Sequence, residues 1–267
     1  MTSLSIKLVI NRTARTPVTN MATIDTSRLK KLEQEVHVWL TVPEEIADSG
    51  KLADYLSLLS ADERERQQRF HFEKDRHSFL VSHALVRKVL SMYVDVDPVD
   101  WRFGTGEYGR PEITGPIDVP PLRFNLTHTA GLTACLVTLD VDCGIDAEWM
   151  GGRGNLQAVA EKMFADSELE TLSALDGQQY QQQFFTFWTL REAYCKALGT
   201  GLGFSKKDYA FEMLGDGRAT ISFDSREGDP DNWQFTLLRP ALEHLVAVAV
   251  RSDEVAGKAV VQEFIVP

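Results

Sequence analysis

Residues 184–204, FFTFWTLREAYCKALGTGLGF, constrain this chain more than any other stretch. Phe184, Phe187, Trp188, Leu190, Ala193, Tyr194, Ala197 and Leu198 recur at near-helical spacing, which predicts a buried helix. Glu192 and Lys196 lie four apart and share one face of it. Gly199, Gly201 and Gly203 then stop the helix and permit positive φ in the loop that follows. A carboxylate and an ammonium one turn apart are usually a surface ion pair. On a helix this rich in aromatic residues, closing on a three-glycine loop, they point instead to the rim of a buried site.

The rest of the chain reads as α+β. Residues 35–42 alternate as a strand that Pro43 ends. Ser60 and Glu63 form a capping box ahead of a charged helix, and a second helix over 75–93 turns Leu80, Ala84, Val86, Val89 and Leu90 inward. A short strand over 101–103 leads to a turn at 107–111. Strands are expected at 122–127, 132–139 and 143–149, then two short helices at 156–164 and 167–175 before the aromatic one. Four strands follow, near 209–213, 219–223, 233–238 and 244–250. Strands and helices thus recur in the same order twice, which implies two similar α+β halves, 35–141 and 142–267, behind a disordered leader at 1–34.

The net charge of −11 argues against a general nucleic-acid binder. No run of eighteen apolar residues is present, so no membrane span is expected. Cys135, Cys143 and Cys195 show neither CxxC spacing nor an even count, which favours core thiols in a reducing compartment, the cytoplasm, over disulfides or zinc.

Three further stretches carry chemistry. In Gly144-Ile145-Asp146-Ala147-Glu148, strand geometry puts Asp146 and Glu148 on one face. Two carboxylates side by side repel unless protonated or bridged by a hard cation such as Mg²⁺; a solvated polar strand face is the alternative. Glu192 offers a third possible ligand. Phe124-Asn125-Leu126-Thr127-His128 ends a strand with groups that could meet an anion, or with an ordinary turn histidine. Arg64, Arg66, Arg69 and Arg76 form either a solvated face or a phosphate contact. Glu168, in Ala165-Asp166-Ser167-Glu168, reads on its own as a helix cap.

Taken in order across residues 58–203, four segments resemble the Sfp-type 4′-phosphopantetheinyl transferases: Glu107-Tyr108-Gly109-Arg110-Pro111, the 124–128 segment, the 144–148 segment, and Trp188 onward in the pattern W-x-x-[KR]-E-A-x-x-K-x-x-G-x-G. Arg110 and Arg191 stand where lysine is common, and Thr127 and Thr129 where serine is usual. The resemblance implies a pseudo-dimer of two α+β halves with the active site in the cleft between them. It implies transfer of the 4′-phosphopantetheine arm from coenzyme A to a serine of an apo acyl or peptidyl carrier protein, by a monomer dependent on Mg²⁺, with Mn²⁺ able to substitute. It further implies that Asp146, Glu148 and Glu192 hold the metal, that Glu168 is the base, and that Lys196 steadies the leaving 3′,5′-ADP. Arg66, Gly109, Arg110, Pro111, Thr127 and His128, with Lys196, would bind coenzyme A. A non-catalytic coenzyme A or carrier-binding module of the same fold, and a metal-dependent phosphodiesterase acting on the holo carrier, are the competing readings.

Overall fold

The computed structural model describes residues 7–9, 26–106, 109–152, 154–200, 208–223, 230–252 and 257–267. In chain order the elements are β1 (Lys7–Val9), α1 (Thr26–Lys31), β2 (Glu35–Thr41), α2 (Ser49–Leu58), α3 (Ala61–Arg69), α4 (Glu73–Leu90), β3 (Arg102–Thr105), β4 (Pro111–Gly115), β5 (Leu122–Thr129) and β6 (Leu132–Leu139). Then come β7 (Cys143–Trp149), α5 (Leu156–Met163), α6 (Asp166–Ser173), α7 (Gly177–Leu198), β8 (Tyr209–Met213), β9 (Arg218–Phe223), β10 (Trp233–Ala241), β11 (His244–Arg251) and β12 (Ala259–Phe264). The chain divides into two units: residues 1–105, 111–140 and 259–267 form the first, and 106–110 with 141–258 the second.

In the first unit the described strands order as β1-β12-β2-β6-β5. β6 pairs antiparallel with both neighbours, whereas β12 runs parallel to β1 and β2. α4 presents Leu85, Val86, Val89 and Leu90 to a core that includes Trp39, Tyr93, Trp101, Cys135 and Val137. The Ser60 capping box forms as the sequence predicts. Its Glu63 also binds His83 at 2.9 Å and the buried Arg87 at 2.5 Å. Burial opposes the charge of Glu63, but bonds from His83 and the Ser60 amide, with the nearby Arg87, outweigh it and bring the carboxyl down to about 2.

Two sequence expectations are corrected here. The leader assigned to 1–34 contributes β1, paired in register with 261–263, and α1, after which Leu32 is fully buried. The C-terminal residues 259–267, assigned to the second half, belong to the first unit, because the backbone of β12 completes the ladder between β1 and β2. The motif residues Glu107, Tyr108, Gly201 and Gly203 lie outside the described residues.

In the second unit the described sheet is antiparallel throughout, β7-β11-β10-β9-β8. α7 lies on it with Phe184, Phe187, Leu190, Ala193, Tyr194 and Ala197 packed against Leu245, Ala247 and Ala249 of β11 and Phe211 and Phe235 beyond. The helix stops at Gly199, whose φ of 67° closes a left-handed cap that only glycine adopts without strain. Cys135, Cys143 and Cys195 are all free and buried.

Candidate active site

β7 and α7 build the site together, and Gly144 sets how closely they meet. A Cβ at Gly144 would lie 3.0 Å from Ala197 Cα, and nearer still to the Ala193 carbonyl oxygen and the Ala197 amide nitrogen. The missing side chain therefore lets the backbones pack in direct contact. The β7 register then presents Asp146 and Glu148 two residues apart on one face.

Lys196 crosses from α7, donating to Asp146 Oδ1 at 2.6 Å and to the Ile145 carbonyl at 3.1 Å. One and two turns back along the same helix, Glu192 faces the cluster and Trp188 donates its indole N–H to Glu148 Oε1 at 2.9 Å. Burial first, and then the charge of Asp146, raises Glu148 to about 6 despite the Trp188 bond and Lys196. Burial again, then Asp146 and Glu148, raises Glu192 to about 7, with Lys196 opposing. Among the described residues, three carboxylates thus sense one another around the ammonium of Lys196.

Among the described residues no three of His, Cys, Asp and Glu converge in a metal-holding arrangement. Asp146, Glu148 and Glu192 are brought into one electrostatic cluster but not into a finished coordination shell, since Lys196 occupies Asp146 Oδ1. As a donor set they fit a hard divalent ion: all are carboxylate oxygens, and their mutual repulsion is what such a cation relieves.

Glu168, expected as the base, is placed differently. It is 1% exposed. Its Oε2 accepts from the Ala165 amide at 3.0 Å and from Arg191, and its Oε1 accepts from the Phe211 amide at 3.0 Å. Arg191 also donates to the Tyr209 carbonyl at 2.8 Å, with its guanidinium 4.5 Å from the Tyr209 ring centroid. The capping role read from this segment is present, and the carboxylate joins α6, α7 and β8. Both carboxylate oxygens of Glu168 are therefore engaged within this joint.

Of the expected coenzyme A residues, Gly109 and Arg110 belong to the second unit, whereas Arg66, Pro111, Thr127 and His128 belong to the first. Arg66 is exposed on α3, 5.8 Å over the Phe79 ring. On β5, Thr127 is buried and His128 exposed. Arg110 is engaged with α7 itself, donating to the Ala197 carbonyl at 2.8 Å. Sequence reasoning missed this bond, the Trp188–Glu148 bond and the Glu168–Arg191 pair. Arg110, Glu168, Trp188 and Arg191 all stand in recognisable segments, but spacing does not show which of them meet.

Residues 142–249 match the model of the 4′-phosphopantetheinyl transferase superfamily, and 47–138 that of the 4′-phosphopantetheinyl transferase N-terminal region. The 4′-phosphopantetheinyl transferase HetI of Nostoc sp. is 34% identical over 65% of this chain and 73% of its own length. The 4′-phosphopantetheinyl transferase Sfp of Bacillus subtilis is 30% identical over 62% and 72%. The phosphopantetheinyl transferase of Thraustochytrium sp. is 30% identical over 75% and 73%. Among solved structures, the Thermotoga maritima holo-[acyl-carrier-protein] synthase overlays 43% of this chain and 65% of its own at 23% identity and a TM-score of 0.35, too slight a likeness to bear on the fold.

Proposed function

Because the chain belongs to the 4′-phosphopantetheinyl transferase superfamily, we propose that the carboxylate–lysine cluster of β7 and α7 is where the arm of coenzyme A is passed to a carrier-protein serine. The chain is a phosphopantetheinyl transferase that takes coenzyme A as donor and acts on carrier proteins. The observation that carries the site assignment is Lys196 reaching Asp146 from a helix whose Glu192 shares the charge of Asp146 and Glu148.

Asp146, Glu148 and Glu192 would hold Mg²⁺, with Mn²⁺ able to replace it, and the bound ion would neutralise charge on the phosphoryl group under attack. Lys196 is the cation of the cluster, and its ammonium moves from Asp146 to the phosphate that leaves. Trp188 holds one oxygen of Glu148 and so restrains that side chain. Arg66, Gly109, Arg110, Pro111, Thr127 and His128 are the residues that the family resemblance assigns to the nucleotide end of the donor. The serine oxygen bonds to the β-phosphorus as the bond from that phosphorus to the bridging oxygen breaks, and the electron pair departs on 3′,5′-ADP. The serine proton goes to Glu192, which is half-buried beside Lys196, rather than to the enclosed Glu168.

With two α+β units in one chain, the protein is proposed to work as a monomer. No described helix is long and apolar enough to cross a membrane. The test is direct. The protein is incubated with coenzyme A, Mg²⁺ and several apo acyl and peptidyl carriers, and the carriers are weighed intact. A gain of one phosphopantetheine per carrier is expected. Loss of the arm from holo carriers, with no gain by apo carriers, would replace transfer by hydrolysis.

A further inference from the structure

The last turn of α7 must end somewhere, and its carbonyls can be accounted for one by one. The Thr200 amide donates to the Cys195 carbonyl at 3.4 Å, and the Gly199 amide to that of Lys196 at 3.2 Å. The Ala197 carbonyl, next in line, receives Nη1 of Arg110 at 2.8 Å. The guanidinium lies along the bare face of Gly199, where a Cβ would stand 3.5 Å from its central carbon. Beyond it, Asp142 Oδ1 lies 3.8 Å from Nη1, one residue before β7 begins. The turn that carries Arg110 is itself closed, Gly106 N to Arg110 O at 2.8 Å and Gly109 N to Gly106 O at 2.9 Å.

From this geometry we propose that Arg110 is a positioning residue: it clamps the C-terminal turn of α7 and thereby fixes Lys196, instead of gripping the donor nucleotide. Lys196 directly precedes the carbonyl that Arg110 holds, and it must keep its ammonium within reach of Asp146 and the Ile145 carbonyl. A frayed last turn releases both contacts. A cation at a helix C-terminus is favoured by the exposed carbonyls. The guanidinium packs beside Gly199 while its Nη1 bonds Ala197 and faces Asp142; a lysine ammonium at this position lacks that planar group and its breadth. The role deepens the transferase reading and rests on it only in its kinetic part.

Arg110→Lys keeps the charge and removes the planar guanidinium. Its kcat is expected to fall about tenfold while the KM for coenzyme A stays within about threefold, as for loss of one charge-assisted bond acting through Lys196. Hydrogen exchange at the Gly199 and Thr200 amides should quicken about tenfold in the same variant. Asp142→Asn should shift both readings the same way, about threefold, and serves if Arg110→Lys fails to fold. Unchanged amide protection overturns the proposal whatever the kinetics do. So does a raised KM with kcat intact, which would return Arg110 to the donor, or quickened exchange with normal kcat. A wild-type protein that modifies no carrier would refute the transferase reading, and the exchange experiment would still decide whether Arg110 clamps α7.

Discussion

Gly144→Ala is the sharpest perturbation this structure offers, because it adds one methyl group where β7 meets the backbone of α7. Carbon atoms pack at about 3.5–4.0 Å, and the new Cβ would stand 3.0 Å from Ala197 Cα, with the Ala193 oxygen and Ala197 nitrogen closer still. All three are backbone atoms, so no rotamer change relieves the clash, and α7 must retreat by about 1 Å. Overpacking of this kind costs about 1–3 kcal/mol, which lowers Tm by roughly 2–10 °C in a chain of this size. The retreat also stretches Lys196–Asp146 from 2.6 Å and Trp188–Glu148 from 2.9 Å. A displacement of about 1 Å at reacting groups costs about 10²-fold in rate, so activity should fall far more than stability at 25 °C. Steady-state transfer to a carrier, measured beside a thermal melt, reads both. A Gly144→Ala protein with kcat within about threefold of normal and an unmoved melt would refute the idea that this glycine sets the register of the two elements.

Other outcomes follow from the same cluster. Chelation of divalent ions should abolish transfer and added Mg²⁺ or Mn²⁺ restore it; Mg²⁺ should raise the melting temperature of the wild type but not of Asp146→Asn. In the metal-free protein the raised Glu192 carboxyl binds more protons folded than unfolded, so stability falls as pH rises from about 4.5 towards about 7. Glu192→Gln should therefore flatten that decline and stabilise the metal-free protein at pH 8 by about 1 kcal/mol after solvent screening, while transfer is lost; an unchanged pH–stability curve would show the carboxylates do not interact. Glu168→Gln leaves Arg191 buried without its anion and should cost about 3–5 kcal/mol. The acidic limb of its pH–rate profile should persist, whereas a flattened limb with a 10²–10⁴-fold loss, on the order expected for a removed base, would reinstate Glu168. Arg66→Ala and His128→Ala should each raise the KM for coenzyme A by roughly 10-fold or more and do much less with 3′-dephospho-coenzyme A; equal penalties with both donors would remove them from the 3′-phosphate.

What the letters disclosed was local. The C-terminal part of α7 from Phe184, its stop at Gly199, the bounds of β7 and the Ser60–Glu63 box all rest on spacing within one or two turns, whereas the first turns of α7, from Gly177, carried no such signal. What they hid was either weakly patterned or distant. α2 begins with an Asp48 cap on the Lys51 amide at 2.8 Å, but its apolar stripe is thin. β4 opens on Pro111, a residue that argues against a strand except at its first position. β1 and β12 pair across more than two hundred residues, 7 with 261, and no local period reports a parallel partner that far away.

The same limit explains which charged residues could be assigned a task. Glu168 and Glu192 both belong to recognisable patterns, and a pattern supplies a carboxylate without saying what faces it. Glu168 meets Arg191 and two backbone amides, so its charge is fully answered and it holds the frame. Arg110 likewise has its charge answered by the Ala197 carbonyl and Asp142. Glu192 meets Asp146 and Glu148, with Lys196 as the one cation that opposes them in the shift of its carboxyl. Among the described residues, three acids around one ammonium leave an excess of negative charge in a half-buried place, costly in the resting protein and suited to a divalent ion with its phosphate ligands. The balance of charge around each residue, which depends on neighbours up to fifty positions away as Lys196 is from Asp146, separates the acids whose charge is left in excess from those whose charge is paired.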